Sequence, residues 1–330
     1  MSSGREAFLP VPTLLFVTSV SAVIPCYNRA ETIGEAIASV LAQTVPPCEL
    51  LVVDDGSIDG SAEIAERAGA RVIRMQANAG NAAARNIGIR AAAGDVIAWL
   101  DSDDYWEENH LATVLPLLDA YPDATVASAG VRFIGARSGI WYGDVPEGPP
   151  ADVARRAFRS TVIPMITSVV RREALLAIGG FDESHRRAVD FDVWLRLALR
   201  HRFVASRAVT AAYRCHSRQI SANPEDQWYA TYIFRQRALE DVRLRGDDAL
   251  VAELSEVYRQ RWASDLQDAW DNGRTAWLQR LLSLAPSVPG VSRRLHWKWA
   301  IRSSIPPSAL RIIRAAKARG VNIPIRFRSA

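Results

Sequence analysis

The chain has 330 residues, of which 49% are hydrophobic and 23% are charged. This composition is typical of a globular protein with one large domain, or with a domain and an appendage, and no stretch approaches the roughly 20 apolar residues of a membrane span. Charge is unevenly distributed: residues 272–330 hold twelve Lys and Arg and no acidic residue, whereas residues 1–271 carry a net charge of −8. Because that acidic body would repel phosphate, nucleic-acid binding is not expected.

Residues 1–18 are interpreted as an N-terminal leader that is not a signal peptide. Their apolar run, residues 8–17, is interrupted by two prolines and shows no small-residue cleavage site. Cys26, Cys48 and Cys215 lie far apart without metal-ligand spacing, which favours unpaired thiols in a reducing compartment. We therefore expect a cytoplasmic protein, or one that lies peripherally on the inner face of the plasma membrane.

From residue 19 onward, short apolar strands alternate with segments of helical periodicity. Thr32 and Glu35 have the spacing of a capping box at the start of the first helix. The alternation predicts an α/β protein with a mainly parallel sheet, right-handed crossovers and helices on both faces. In chain order, the expected strands and helices are SVSAVIP, ETIGEAIASVLAQ, ELLVVDD, SAEIAERAG, RVIRM, NAAARNIGIRAAAG and DVIAWL.

Three polar clusters follow the predicted strands, at residues 25–28, 54–57 and 101–104. Parallel strands present their carboxyl ends at one edge of the sheet, where ligands bind in such folds. We therefore expect the three clusters to line one crevice. The dinucleotide-binding pattern G-x-G-x-x-G is absent after every predicted strand, which argues against that class of ligand.

The third cluster places Asp101, Asp103 and Asp104 directly after an apolar strand, with Glu107 and Glu108 close behind. Like charges at this density repel one another, and a divalent cation would offset the repulsion. Mg²⁺ and Mn²⁺ favour oxygen ligands, so Asp101 and Asp103 predict a metal site open to a diphosphate. The alternative is a preference for negative charge at a helix N-terminus, which accounts for Asp104, Glu107 and Glu108 but poorly for Asp101.

Two further features of this half leave alternatives open. Asp54 and Asp55 precede Gly56 and can form a turn, or they can accept hydrogen bonds from a ribose or a base. Beside a metal site, the ligand-binding interpretation is preferred. Arg85 lies on a helix face of small residues and can pair with phosphate or with a neighbouring acid.

Residues 105–220 are less regular than the first hundred. A helix is expected near residues 107–120, a strand at ATVASAG, and a Gly/Pro-rich loop at residues 135–150. Asp190 and Asp192 lie near the start of an amphipathic helix, VDFDVWLRLALRH, where in isolation they would be helix-terminus residues. His216 in isolation would be an ordinary loop histidine, and beyond residue 225 the pattern is helical almost throughout.

Six segments carry a family resemblance: SAVIPCYNRAETIGEAIASVLAQT, LLVVDDGSIDG, NAGNAAARNIGIRAAAGDVIAWLDSDDYW, GGFDE, VDFDVWLRLA and YRCHSRQIS. In order and spacing they resemble the family 2 glycosyltransferases of the GT-A fold. The resemblance covers residues 19–221, nearly two-thirds of the chain. It is specific for the family and much less specific for the sugar that is moved.

The resemblance implies an inverting transfer from a nucleotide-diphosphate sugar, with a UDP-sugar expected first, to a saccharide or lipid-linked acceptor in cell-surface polysaccharide or glycolipid synthesis. Asp101 and Asp103 would form the DxD motif that binds Mn²⁺ or Mg²⁺ and the diphosphate. The catalytic base aligns with Asp190; Val189 replaces the glutamate that usually precedes it, which leaves Asp192 as a fallback. His216 is an additional candidate. The implied nucleotide-sugar-binding residues are Pro25, Tyr27, Asn28, Asp54, Asp55, Arg85 and Asp101.

These expectations divide the chain into the leader, a GT-A domain at residues 19–222 and a helical, basic extension at residues 223–330. In the extension Trp297, Trp299 and Leu310 interleave with arginines, which suits an amphipathic helix lying on an anionic membrane surface. The alternative is that the extension packs on the catalytic domain or forms a homo-oligomer contact.

Two other functions compete with the transferase interpretation. A sugar-nucleotide pyrophosphorylase would carry a glycine-rich, basic loop after the first strand, which PCYNRAET lacks. A non-catalytic nucleotide-sugar-binding protein would fit if Val189 marked a lost base. The intact pair of Asp101 and Asp103 argues against such a loss.

Overall fold

A computed structural model describes residues 18–146, 148–216 and 224–291 of the chain. Within them, strands and helices alternate in the order expected for an α/β protein. The strands are β1 Val20–Cys26, β2 Glu49–Asp54, β3 Arg71–Arg74, β4 Val96–Trp99, β5 Tyr105–Trp106, β6 Ala124–Gly135, β7 Gly139–Trp141, β8 Val169–Arg171 and β9 Arg202–Cys215. The helices are α1 Ile33–Leu41, α2 Ser61–Arg67, α3 Asn81–Ala91, α4 His110–Ala120, α5 Pro150–Arg159, α6 Arg172–Ala177, α7 Val189–Ala198, α8 Pro224–Leu244, α9 Asp248–Asp271 and α10 Thr275–Ser283.

The strands form one sheet in the order β3-β2-β1-β4-β8-β6-β9-β5, with β7 paired to β6. Within the group β1 to β4, every pair of neighbouring strands is parallel. Beyond β4 the sheet is mixed: β8 is antiparallel to β4 and β6, whereas β9 is parallel to β6. The expected α/β class is confirmed, and the parallel portion is its first half.

Both faces of the sheet are covered by a hydrophobic cluster. Successive side chains of a strand point to opposite faces and therefore enter different clusters. In β1, Val23 packs in one hydrophobic cluster, whereas Ala22 and Ile24 pack in the other. This arrangement explains why the first strands are apolar along their whole length instead of alternating with polar residues.

The capping box expected at the start of α1 does not form. Thr32 is the N-cap residue, but its side chain makes no cap hydrogen bond. Its Oγ1 instead donates to the carbonyl oxygen of Ser102 at 2.8 Å. The hydroxyl therefore ties α1 to the acidic segment after β4, a long-range contact that outweighs the local capping preference.

The second half departs further from the local pattern. Helix α4 begins at His110 and not near residue 107, and Glu107 forms an ion pair with Arg132 at 2.7 Å. The strand expected at ATVASAG extends to Gly135 and runs beside β9 with three register shifts. Bulges of this kind are not visible as alternation in a sequence.

Helices α8 to α10 pack against α5 and α7 instead of standing apart from the α/β portion. The buried rings of Tyr258, Trp262 and Trp277 belong to the same hydrophobic cluster as Phe158 of α5 and Trp194 of α7. The Nε1 of Trp262 donates to the Leu281 carbonyl at 2.7 Å. Residues 224–291 therefore complete the core on one face of the sheet.

A buried arginine connects α8 to α5 and α7. The Nε of Arg235 in α8 donates to the Phe158 carbonyl at the end of α5 at 2.6 Å. Its guanidinium also lies 4.7 Å from the ring centroid of Phe191 in α7. Burial lowers the pKa of Arg235 to about 10, still far above neutrality, so the group stays charged while its protons satisfy carbonyl oxygens.

Part of the basic extension is used for internal ion pairs. Arg280 contacts Asp226 at 2.7 Å, and Arg274 contacts Asp268 and Glu225. The other ten basic residues after Asp271, together with the aromatic residues proposed to meet a membrane, lie outside the described residues, as does most of the leader. Among the helices that the structure describes, none is both long and apolar enough to cross a bilayer.

Candidate active site

A cleft of about 1510 Å³ opens at the carboxyl ends of β1 and β4 and extends to β6 and β9. The convergence expected from the sequence is present there. Of the predicted site residues, those lining the cleft are Pro25, Tyr27, Asn28, Asp55, Arg85, Asp101, Asp103 and Asp190. Asp54 and Asp192 do not line it.

The turns after β1 and β2 hold each other in place at one end of the cleft. Asn28 has a left-handed backbone with φ of 51°, a conformation that asparagine adopts more readily than most residues. Its Oδ1 accepts from the Ile58 N–H at 3.0 Å, and its own N–H donates to Ser57 Oγ at 2.9 Å. Tyr27 is left 43% exposed beside this junction.

Asp54 and Asp55 have different surroundings. Asp55 accepts from the backbone N–H groups of Ala79 and Gly80 at 2.7 and 2.8 Å and from Asn78 Nδ2 at 2.9 Å, so it fixes the loop before α3. Asp54 accepts from the Ser57 N–H at 3.2 Å, as a turn residue does, while its buried Oδ1 has no partner within the described ranges.

Arg85 reaches from α3 to the acidic segment. Its Nη2 donates to Asp101 Oδ1 at 2.7 Å, and its guanidinium lies 5.3 Å from the Phe181 ring centroid and 5.9 Å from that of Trp99. The pKa of Asp101 is raised above its ordinary value, mainly by burial. The charge of Arg85 lowers this pKa, whereas the charges of Asp103 and Asp190 raise it. Arg85 therefore contacts a neighbouring acid, while its role toward a phosphate stays a prediction.

Asp103 contacts one residue near the start and one residue near the end of the α/β portion of the chain. Its Oδ2 accepts from Arg29 Nε at 3.3 Å and lies 2.9 Å from His216 Nε2. His216 is 113 residues away in sequence, and nothing local singles it out. Arg29 was not proposed as a site residue, although it follows the cluster at residues 25–28 directly.

Asp104 corrects the interpretation that it decorates a helix N-terminus. It is buried, its Oδ1 accepts from the Arg214 N–H at 2.7 Å, and its Oδ2 has no partner among the described residues. Burial raises the pKa of Asp104 well above its ordinary value. The Nε of Arg214 donates to the Asp103 carbonyl at 2.9 Å and its Nη2 pairs with Glu35 at 2.6 Å, so this further unpredicted residue fixes the acidic segment to β9.

Helix α7 separates its two aspartates. Asp190 lines the cleft, and the residue before α7, Ala188, has a left-handed backbone with φ of 53°, a conformation that costs an alanine about 1–3 kcal/mol. Asp192 is paired with Arg196 at 2.6 Å and lines a separate cavity of about 350 Å³. The fallback role of Asp192 therefore has no geometric basis at the cleft.

The donor set of the cleft fits a divalent cation that shares its ligands with a diphosphate. Asp101 and Asp103 supply hard carboxylate oxygens, and no group of three or more His, Cys, Asp or Glu side chains within residues 18–146, 148–216 and 224–291 is arranged to enclose a metal alone. Mg²⁺ is commonly held by one or two carboxylates, with phosphate oxygens and waters completing the shell. The two carboxylates suffice for that mode of binding.

The chain is similar in sequence to known glycosyltransferases. Residues 21–178 match the model of the family described as Glycosyl transferase family 2. An uncharacterized glycosyltransferase of Rickettsia typhi is 31% identical over 186 residues, which are 54% of this chain and 58% of that protein. TuaG of Bacillus subtilis, named as a teichuronic acid biosynthesis glycosyltransferase, is 29% identical over 232 residues, 66% of this chain and 87% of TuaG. The chain thus spans 58% of the length of the Rickettsia relative.

Solved structures share the fold at low sequence identity. TarS 1–349 of S. aureus in complex with UDP-GlcNAc superposes with a TM-score of 0.69 at 19% identity, covering 94% of both chains. The mannosyltransferase PcManGT of Pyrobaculum calidifontis, in complex with GDP-Man and Mn²⁺, superposes with a TM-score of 0.54 at 18% identity, covering 91% of this chain and 88% of that one.

Proposed function

The match over residues 21–178 places the chain in glycosyl transferase family 2, and from that premise we propose that it transfers a sugar from a nucleotide-diphosphate donor to an acceptor hydroxyl with inversion. The observation that carries the proposal is the meeting of Asp101, Asp103 and Asp190 in one cleft. Two of these carboxylates follow a strand of the parallel half, and the third starts a helix of the other half.

The nucleotide occupies the end of the cleft lined by Tyr27, Asn28 and Asp55. A partly exposed tyrosine ring offers a stacking surface for a base. The ordered loop that Asp55 holds, residues 78–80, supplies backbone and amide groups to the ribose side. Asp54 acts through the turn that it stabilises.

Asp101 and Asp103 would hold a divalent cation, Mg²⁺ or Mn²⁺, whose shell the donor diphosphate would share. When bound, the cation supplies neutralisation of the charge that develops on the leaving nucleotide. Arg85 orients Asp101 and opposes the rise in its pKa that burial causes, and Arg29 and His216 orient Asp103.

Asp190 is the general base. A carboxylate in the cleft accepts the proton of the acceptor hydroxyl as the oxygen attacks the anomeric carbon. Attack on the face opposite the leaving diphosphate inverts that carbon, by the geometry that defines inverting glycosyl hydrolysis. Val189 in place of a glutamate leaves this proton transfer to Asp190 alone.

The substrate class rests on relatives. The complex of TarS with UDP-GlcNAc supports a UDP-sugar donor, and the name of TuaG supports an acceptor in cell-surface polysaccharide synthesis. A complex with GDP-Man in a neighbour of the same fold keeps a GDP-sugar as the competing donor.

Calorimetric titration of UDP, GDP and dTDP, first with Mn²⁺ and then with EDTA, tests the proposal. We expect one nucleotide to bind in a metal-dependent manner, and Asp103→Ala to abolish that dependence. Asp123→Ala is the matched control, because Asp123 is an exposed aspartate paired only with Arg202 among the described residues. Absence of binding to all three nucleotides would contradict the transferase function and favour a different ligand for the cleft.

We also propose that the basic segment at residues 293–330, outside the described residues, docks the enzyme on anionic lipid near a lipid-linked acceptor. Flotation with anionic liposomes would compare the full chain with a variant in which the Arg and Lys residues of this segment are replaced by Gln. Equal flotation of the two proteins would contradict membrane docking through this segment.

A further inference from the structure

A second group of cleft residues lies beyond the metal-binding carboxylates, on β6, β7 and β9. We propose that Phe133, Trp141, Tyr213 and Arg137, which line this end of the cleft, form the acceptor subsite, and that the subsite binds a saccharide carrying an anionic group. The inference rests on the proposed transferase function and names the substrate class of the same cleft.

Strand register brings the three aromatic residues to one face. Phe133 is directly beside Tyr213 on β9, and Val131, two residues before Phe133, is directly beside Trp141 on β7. Residues two apart on a strand share a face, so the rings belong to one surface. Gly139, opposite Phe133 on β7, adds no side chain over the Phe133 ring, whose neighbour on one face is the Arg137 guanidinium.

The rings form a platform and not a sealed core. Phe133 and Tyr213 pack edge to face, with centroids 5.7 Å apart and an angle of 82° between planes. All three aromatic residues are only half-buried while lining the cleft. A pyranose presents an apolar face of C–H groups, and the electron-rich face of an aromatic ring attracts them.

Arg137 gives the platform a positive charge. Its guanidinium carbon lies 3.9 Å from the Phe133 ring centroid, and within the described part of the chain it forms no ion pair. Neighbouring arginines differ in this respect, since Arg132 pairs with Glu107 and Arg214 with Glu35. An exposed guanidinium beside a stacking surface suits a carboxylate or phosphate on the bound sugar.

The platform is close in the chain to a residue that contacts Asp103. Tyr213 precedes His216 by three residues, about 10 Å along an extended chain, and His216 contacts Asp103. A donor sugar attached to a diphosphate at Asp103 would fill most of that interval. Asp190 lines the same cleft as the platform, where it can accept the proton of an acceptor hydroxyl.

Saturation-transfer NMR with three probes tests the inference: methyl glucuronide, glucose 6-phosphate and the neutral methyl glucoside. We expect at least one anionic probe to bind up to about fivefold more tightly than the glucoside, the scale of an exposed ion pair. The two anionic probes distinguish a carboxylate from a phosphate as the preferred group.

Variants assign the effect to the platform. Arg137→Gln should remove the preference for anionic probes, whereas Arg207→Gln, at an exposed arginine on β9 away from the cleft, should keep it. Trp141→Ala and Phe133→Leu should weaken all probes by about two- to tenfold, the scale of an aromatic contact. Ile140→Ala is the control, because Ile140 is the neighbour of Trp141 on β7 and is 52% exposed.

Nucleotide titration on the same proteins separates the two ideas and verifies folding. Retained nucleotide binding in all variants, with probe binding lost at the platform only, supports the inference. Equal binding of neutral and anionic probes, or unchanged binding in both Trp141→Ala and Phe133→Leu, overturns it and leaves the proposed function standing. Loss of nucleotide binding in the wild type would instead refute the proposed function.

Discussion

In the half of the sheet formed by β1 to β4, neighbouring strands run in the same direction, whereas the pairs that involve β5 to β9 are of both kinds. In the first half each crossover returns the chain to the same edge, so the residue after each strand automatically faces the cleft. In the second half the cleft residues come from separate places, namely the end of β6 with β7, residues 161–166, the turn before α7 and the end of β9. The difference shows that local pattern locates ligand-binding residues only where the topology is repetitive.

The two halves also differ in what supports them. In the first half, α2 and α3 pack on β1 to β3, the strands next to them in sequence. In the second half, α4 packs on β6 and β9, and α8 to α10, which follow the sheet in the chain, pack on α5 and α7 as an outer layer. Each of the following experiments compares a substitution in one part of the molecule with a control, and the experiment with the largest expected effect comes first.

Asp190→Asn should lower the rate of sugar transfer by about 10²–10⁴, the usual contribution of a general base, while nucleotide affinity stays within about twofold. Asp192→Asn should keep most activity and lose about 1–3 kcal/mol of unfolding free energy, because Arg196 loses its carboxylate partner while keeping its bonds to the Ile178 and Gly180 carbonyls. Transfer assays and urea denaturation would measure both. Equal loss of activity in the two variants would mean that the structure assigns the aspartates of α7 wrongly.

Trp262→Ala should lower the unfolding free energy by about 3–5 kcal/mol, because a fully buried indole and its hydrogen bond to Leu281 are lost. Since α9 shares a core with α5 and α7, we expect a single thermal transition that moves as a whole. Leu244→Ala, at a residue that is 80% exposed, is the control. A separate low-temperature transition in Trp262→Ala would show that the helices fold independently of the sheet.

His110 makes stability depend on pH in the second half. It is buried at the start of α4, its Nδ1 lies 2.9 Å from Thr210 Oγ1, and burial lowers its pKa to about 3. Because the unfolded chain binds a proton below pH 6.5 that the folded chain does not, the unfolding free energy should decrease as pH falls below that value, by about 2 kcal/mol at pH 5. Urea denaturation of the wild type and His110→Gln at pH 7 and pH 5 would measure it, and an equal decrease in both proteins would contradict the role of His110.

Two glycines in helices of the first half should respond in opposite directions to alanine. A Cβ on Gly88 would lie 2.5 Å from Cγ1 of Val23, a stiff buried side chain, whereas a Cβ on Gly34 would meet only Ile64 at 3.8 Å. Overpacking costs about 1–3 kcal/mol and exceeds the helix gain of up to about 1 kcal/mol. Gly88→Ala should therefore destabilise and Gly34→Ala should stabilise, as denaturant midpoints would show; stabilisation in both would mean that α3 can move away from β1.

The sequence was informative for the first half of the fold because its strands and helices alternate with clear periods and short turns. The convergence of residues 25–28, 55 and 101–103 followed from that alternation, and so did the proximity of Arg85 to an acid. The contact of His216 with Asp103 could not be foreseen from residues alone, since it depends on how β9 aligns with β6 across register shifts.

The failures have similar physical causes. Thr32 and Glu35 match a capping box, yet Thr32 bonds to Ser102 and Glu35 to Arg214, because partners distant in sequence outweigh local ones. Asp104 looks like its neighbours Glu107 and Glu108, but the Arg214 N–H draws it inward. Asp190 and Asp192 differ only in which side of α7 they occupy, and that side is set by packing in the second half.

The buried guanidinium of Arg235 restricts how this chain can be recombined with its relatives. It joins α8 to a carbonyl at the end of α5 and to a ring on α7, the helix that carries Asp190. A chimera with its crossover at residue 222 would pair one protein's α5 and α7 with another's α8. The cation would then keep its main-chain acceptor and its ring only if both proteins place α5 and α7 alike. Specificity exchanges should therefore transplant residues 150–291 as one block, so that Asp190, the proposed general base, is inherited together with the helices that hold it.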